Sequence, residues 1–191
     1  MGSVSLPGAC IWMTGRGGAG KSTLTGALVP MLEAAGRTVT VLDVVPELRK
    51  LPCERTSRGK LIRKAFVARE VARHGGIAVC VTISSKREIR DEIRAMIGPQ
   101  SFVEVFVDVP VEVSHRRKAD RPKKPAPTKR LKRSVRGLAR RIGLARGRSF
   151  DQPVNPDVTV DSVSEPPEVG ARRIIEVMVE RGFVSADSAP I

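Results

Sequence analysis

Gly15-Arg16-Gly17-Gly18-Ala19-Gly20-Lys21-Ser22 places two glycines five residues apart and follows the second with a lysine and a hydroxyl. This is the GxxxxGK[ST] spacing of a Walker A phosphate loop. The glycines permit positive φ angles and close approach, so successive backbone N–H groups can cradle phosphate oxygens. A helix opening at Lys21 would aim its positive end at the same anion. Lys21 then reaches the β- and γ-phosphates of a nucleotide, the Ser22 hydroxyl ligates Mg²⁺, and Thr23 extends the cradle. A second candidate is Asp43, a carboxylate closing a run of β-formers, able to orient an acceptor hydroxyl or hold Mg²⁺ through water. A guanine-specific NKxD loop is missing. So is an acid at the end of the third apolar run, which closes as Ile83-Ser84-Ser85. A phosphate loop alone leaves kinase, GTPase, motor and ATP-coupled machine open. The small size with a late Arg-rich segment fits a nucleotide-kinase-like enzyme with a mobile lid.

These groups need elements to hold them. Ala9 to Met13 reads as a buried strand that runs into the phosphate loop. A helical pattern through Leu24, Leu28, Met31 and Leu32 follows, stopped by Gly36. Thr38 to Leu42 reads as a strand, and Arg58 to Arg73 as a helix with Leu61, Ile62, Ala65, Phe66 and Val67 inward. Ile77 to Ile83 and Phe102 to Val107 are further strands, with an amphipathic helix over Lys86 to Ile97 between them. Val111 to Lys118, Asp157 to Val160 and Pro167 to Glu180 give helix, strand and helix, and Ser185 to Ile191 reads as a frayed tail. Strands alternating with helices predict a parallel sheet flanked on both faces, a three-layer α/β fold of the P-loop kinase kind. With 191 residues, one domain over 1–191 is expected.

In this order and spacing the chain resembles the adenylylsulfate kinases, which use ATP to phosphorylate the 3′-hydroxyl of adenosine 5′-phosphosulfate (APS). The family's GxSGxGKST corresponds to GRGGAGKST, and its VxxLDGD strand end to Val39 through Val45. DRxxNIRR corresponds to Ser57 through Lys64, and FISPYRxxRDxxR to Thr82 through Arg94. The FIEVYVDTPLEVCExRD run is similar to Phe102 through Lys118, and NPxLxxDT to Asn155 through Asp161. The resemblance implies ATP and Mg²⁺ as cofactors, with Lys21, Asp43 and Arg117 as catalytic residues. It implies Gly15, Gly17, Gly18, Ala19, Gly20, Lys21, Ser22, Thr23 and Asn155 on the nucleotide and Ser22 on the metal. The anionic acceptor falls to Arg49, Arg58, Arg63, Ile83, Ser84, Arg87 and Phe150, arginine being suited to bidentate anion contacts. The chain departs from the pattern mainly on the acceptor side. Val45 replaces the second aspartate of LDGD, and Arg49 sits one residue off register. Cys53 replaces a stacking aromatic, Leu61 an asparagine, and Ser85-Lys86 a Pro-Tyr pair. A diverged kinase with another hydroxyl acceptor is therefore an alternative.

The net charge is +14, and its distribution matters more than its size. Arg116 to Arg148 carries 15 of the 34 Lys/Arg with one acid, Asp120, whereas the rest of the chain holds 19 basic and 19 acidic residues. We expect a mobile basic lid over about 116–150, which would close over two anions and exclude water. The other reading is a nucleotide-binding regulator that contacts nucleic acid. Stacking-type recognition is disfavoured, because no aromatic lies between Arg116 and Ser149 and the chain has no Tyr. Three scattered cysteines without a CxxC point to a reducing, cytoplasmic setting. No apolar run approaches the ~18 residues of a membrane span. The expected partner is a small anionic acceptor, and a homodimer is allowed.

Overall fold

The computed structural model describes residues 6–43, 45, 56–120 and 149–189. Strand β1 (Ala9–Thr14) leads into helix α1 (Lys21–Ala34), and strand β2 (Val39–Leu42) is followed by α2 (Ser57–Arg73). Strand β3 (Ile77–Val81) precedes α3 (Arg87–Ile97), and a short 3-10 turn at Pro99–Ser101 introduces β4 (Phe102–Asp108). Helix α4 (Val111–Ala119), strand β5 (Val158–Asp161) and helix α5 (Pro167–Glu180) complete the order, with a 3-10 turn at Ala186–Ser188. The five strands form one parallel sheet in the order β2-β3-β1-β4-β5. This is the α/β architecture expected from the alternation of strands and helices.

Side-chain alternation along the strands separates two cores. Ile11, Met13, Val79, Val103 and Val105 point to one face, where Leu24, Leu28 and Leu32 of α1 meet Ala171, Ile174 and Met178 of α5. Cys10, Trp12, Ala78, Cys80 and Phe102 point to the other, covered by Ala65 and Ala68 of α2 and Ile93 of α3. β1 and β3 are therefore buried on both faces and read as continuous apolar runs, the usual state of inner parallel strands. β1 lies between β3 and β4, where the chain changes direction across the sheet. A crevice opens there beyond the strand ends, and the glycine-rich loop lies in it.

Three local expectations change. Phe66 is 49% exposed, because the inward face of α2 runs through Ala65, Ala68 and Ala72, and the next residue along turns about 100° away. The Arg69 guanidinium lies over its ring instead, 5.1 Å from the centroid. The third apolar run stops pairing at Val81, and Ser84 turns with a φ of 28°. The tail from Ser185 is not frayed as far as residue 189. Gly182, at φ 74°, folds the chain back so that Gly182 N–H bonds Val179 O and Phe183 N–H bonds Met178 O at 2.8 Å. Phe183 and Val184 are buried in consequence, and Ala189 packs on the core. Most of the expected lid and Arg49 lie outside the described residues. Among the described residues no helix is long and apolar enough to cross a membrane.

Candidate active site

The phosphate loop is held from below by backbone contacts that exclude side chains. A Cβ at Gly15, whose φ is 151°, would stand 2.5 Å from the Val107 carbonyl oxygen; one at Gly18 would stand 2.7 Å from that of Ser114. The Ser114 hydroxyl donates to the Gly17 carbonyl at 2.9 Å, so α4 and the end of β4 form the floor of the loop. Gly20 caps α1 in a left-handed conformation with no side-chain hydrogen bond, leaving the amino end of the helix open toward the crevice. The Lys21 ammonium, 8% exposed, donates to the Gly15 and Arg16 carbonyls at 2.8 Å each. It lies folded across the loop, within reach of any anion bound there.

Two cavities flank this loop. The larger, about 320 Å³, is lined by Gly18, Gly20, Thr23 and Leu24 together with Val107, Arg117, Val160 and Ser162. Apolar side chains form much of its wall, and its volume is near the lower end of the ligand-pocket range of about 300–1,000 Å³. Arg117 is pinned beside it, donating to the Ser162 hydroxyl at 3.1 Å and to the Ser162 carbonyl at 2.9 Å. The smaller cavity, about 180 Å³, runs from Gly17 through Ser22 to Asp43 and Val81–Ile83. The Ser22 hydroxyl donates to Asp43 Oδ2 at 3.2 Å. This pair of hard oxygen donors, exposed at the cavity, suits Mg²⁺, which keeps several waters and needs few carboxylates. Among the described residues no group of three or more His, Cys, Asp or Glu could hold a metal.

The structure thus gathers Gly15, Gly17, Gly18, Ala19, Gly20, Lys21, Ser22, Thr23, Asp43, Ile83 and Arg117 around one crevice. Other expected residues lie elsewhere. Asn155 is exposed and precedes β5 at the edge where strands begin, whereas the loop follows the end of β1, so it does not join the nucleotide residues. Arg58 is exposed and ion-paired with Glu92, its Nε donating at 3.2 Å. Arg87 is exposed at the start of α3, and Arg63 is buried on α2; neither lines either of these two cavities. The Ser84 hydroxyl is turned inward, accepting from Trp12 Nε1 at 3.2 Å and sharing protons with Thr14 at 2.8 Å and Thr82 at 2.9 Å. Phe150 stacks on Phe106 with centroids 5.9 Å apart, and the Arg16 guanidinium stands over its ring at 5.4 Å.

Some site residues escaped the sequence reading. Ser162, which fixes Arg117, directly follows β5, so a search for polar residues just past strand ends would have found it. Ser114 carries no such signal, because only the approach of α4 to the loop gives its hydroxyl a role.

The family model described as Adenylylsulphate kinase matches residues 7–161. An adenylyl-sulfate kinase of Microcystis aeruginosa is 34% identical over 189 residues, covering 93% of this chain and 94% of that protein. One from Rippkaea orientalis is 35% identical over 190 residues, covering 93% and 95%. An APS kinase from Mycobacterium tuberculosis, solved in complex with AMPPNP and APS, superposes with a TM-score of 0.66 at 21% identity. That match covers 91% of this chain and 98% of the other, and it supports the fold.

Proposed function

Since the chain belongs to the adenylylsulfate kinase family, we propose that it transfers the γ-phosphate of ATP to the 3′-hydroxyl of adenosine 5′-phosphosulfate. The observation that carries this reading is a phosphate loop with a cavity on each side, one apolar and one ending in a Ser–Asp pair. The nucleoside of ATP fits the larger cavity, and its phosphates lie along the loop N–H groups. The acceptor enters from the side of Asp43. Its hydroxyl oxygen forms the new bond to Pγ as the bond from Pγ to the ADP oxygen breaks, and Asp43 is placed to take the hydroxyl proton. Lys21 and Arg117 offset the charge that spreads over the transferring group. Ser22 would hold Mg²⁺, which when bound would offset negative charge on the phosphates. The free, buried Cys10 and Cys80 agree with a cytoplasmic enzyme.

A second reading keeps the reaction and changes the acceptor. Val45, where the family carries an acid, packs on the apolar cluster under α2 instead of presenting a charge to the crevice. Arg16 also covers a ring face of Phe150 on which an aromatic base would stack. Initial rates of ADP formation with ATP, Mg²⁺ and either APS or a panel of anionic hydroxyl compounds separate the two. APS-dependent ADP formation with a 3′-phosphorylated product supports the first. Silence with APS beside turnover of another acceptor overturns it.

A further inference from the structure

Lys64 is a buried cation to which the reaction above gives no part. It sits on the inner face of α2 and is 9% exposed, with its ammonium donating to two main-chain carbonyls at 2.8 Å each, those of Asp43 and Val81. These two acceptors occupy equivalent places. The β2–β3 ladder runs in register from Val39 opposite Ile77 to Leu42 opposite Cys80, and Asp43 and Val81 are the next residues on each strand. Beyond that point the strands part. Thr82 turns its N–H to the Met13 carbonyl of β1, while β2 has ended. Lys64 supplies a donor to the carbonyl at each of these two positions.

We propose that Lys64 is a positioning residue for phosphoryl transfer, bridging the ends of β2 and β3 so that the Asp43 carboxylate is held at the phosphate loop. This rests on the kinase reading of the same site. The contact is to the Asp43 carbonyl, so it fixes the main chain and leaves the carboxylate for Ser22 and the acceptor. The bridge also ties α2 to the strand end that bears the acid. Burial pushes the Lys64 amine below its ordinary pKa, with the Asp43 charge acting in the opposite direction. Apolar residues would fill this volume without the cost of burying an ammonium. A lysine is needed only if both carbonyls must be held.

A double-mutant cycle on the full chain tests this. Lys64→Met should lower kcat by ~10- to 100-fold, the range for a small displacement of a catalytic group, with KM for ATP within about twofold of wild type. Activity is expressed per ATP-analogue binding site, so loss of folded protein does not register. In an Asp43→Asn background, the same substitution should cost almost nothing further, because there is no carboxylate left to position. A purely structural lysine would make the two losses multiply, and that result overturns the proposal. So does an unchanged kcat per site. Should Lys64→Met not fold, Lys64→Arg serves in the same cycle, with a smaller loss that must also vanish in Asp43→Asn. If wild-type protein does not phosphorylate APS, the kinase reading fails separately, and the cycle is read on Mg·ATP hydrolysis.

Discussion

The two flanks of the phosphate loop are built differently. On the β4–β5 flank, Arg117 is fixed by both the hydroxyl and the carbonyl of Ser162, whose hydroxyl in turn donates to Asp108 O at 3.1 Å. The wall there sets Leu24, Val107, Val160 and Pro167 beside the polar Thr23, Arg117, Ser162 and Glu165. On the β2–β3 flank, the carboxylate stands on an exposed strand end, Ile83 is 53% exposed, and Lys64 bonds the two strand ends from beneath. The nucleotide flank is an extension of the sheet, whereas the acceptor flank depends on side chains that bridge strand ends. Changes of sequence are tolerated more readily in the second, and the departures from the family pattern collect there.

The largest effect should come from the element both flanks share. Lys21→Ala should lower turnover by ~10³-fold or more, with thermal stability nearly unchanged, because it removes the fixed cation on the phosphates. Initial rates beside a thermal melt check this, and turnover near wild type would remove the loop from the mechanism. Val45→Asp probes the acceptor flank. Its side chain leaves an apolar cluster, so stability should fall by about 1–2 kcal/mol, while kcat/KM for APS rises several-fold at unchanged KM for ATP. A rise in KM for ATP would break the division between flanks. Ser162→Ala probes the other side. It should raise KM for ATP by ~5-fold, less than the ~10-fold or more of a hydrogen bond to a charged group lost outright, because the Ser162 carbonyl still holds Arg117, and leave KM for APS alone.

The smallest effect concerns the turn after β5. The Ser164 hydroxyl donates to Asp161 at 2.7 Å and Val163 N–H at 2.9 Å, which lowers the Asp161 pKa below the ordinary carboxylate value. A depressed folded-state pKa means stability present above the unfolded value of about 4 and lost as pH falls through the lower one. Asp161→Asn should therefore lower Tm slightly at neutral pH and flatten its fall below about pH 4, while leaving KM for both substrates almost unmoved.

The phosphate loop, the strand–helix alternation and the Asp43 position were legible in the amino-acid sequence. Each depends on local rules: glycine at positive φ, apolar periods of two or of three to four, and a polar residue where a strand ends. The face of α2 was misread by one residue because Phe66 is apolar, yet the helix turns about 100° per residue and three alanines already fill the inner stripe. The chain neighbours of Asn155 point to the nucleotide, and only strand direction reveals that it precedes β5, at the end of the sheet away from the loop. The pairing of Arg117 with Ser162, of Ser114 with Gly17, and of Lys64 with two strand ends joins residues 45, 97 and 21 or 17 positions apart. Hydroxyls and amines have no sequence period, so their partners are set by which elements pack together. Local spacing could say what this chain binds; the packing of α2 and α4 against the strand ends decided what holds the binding groups in place.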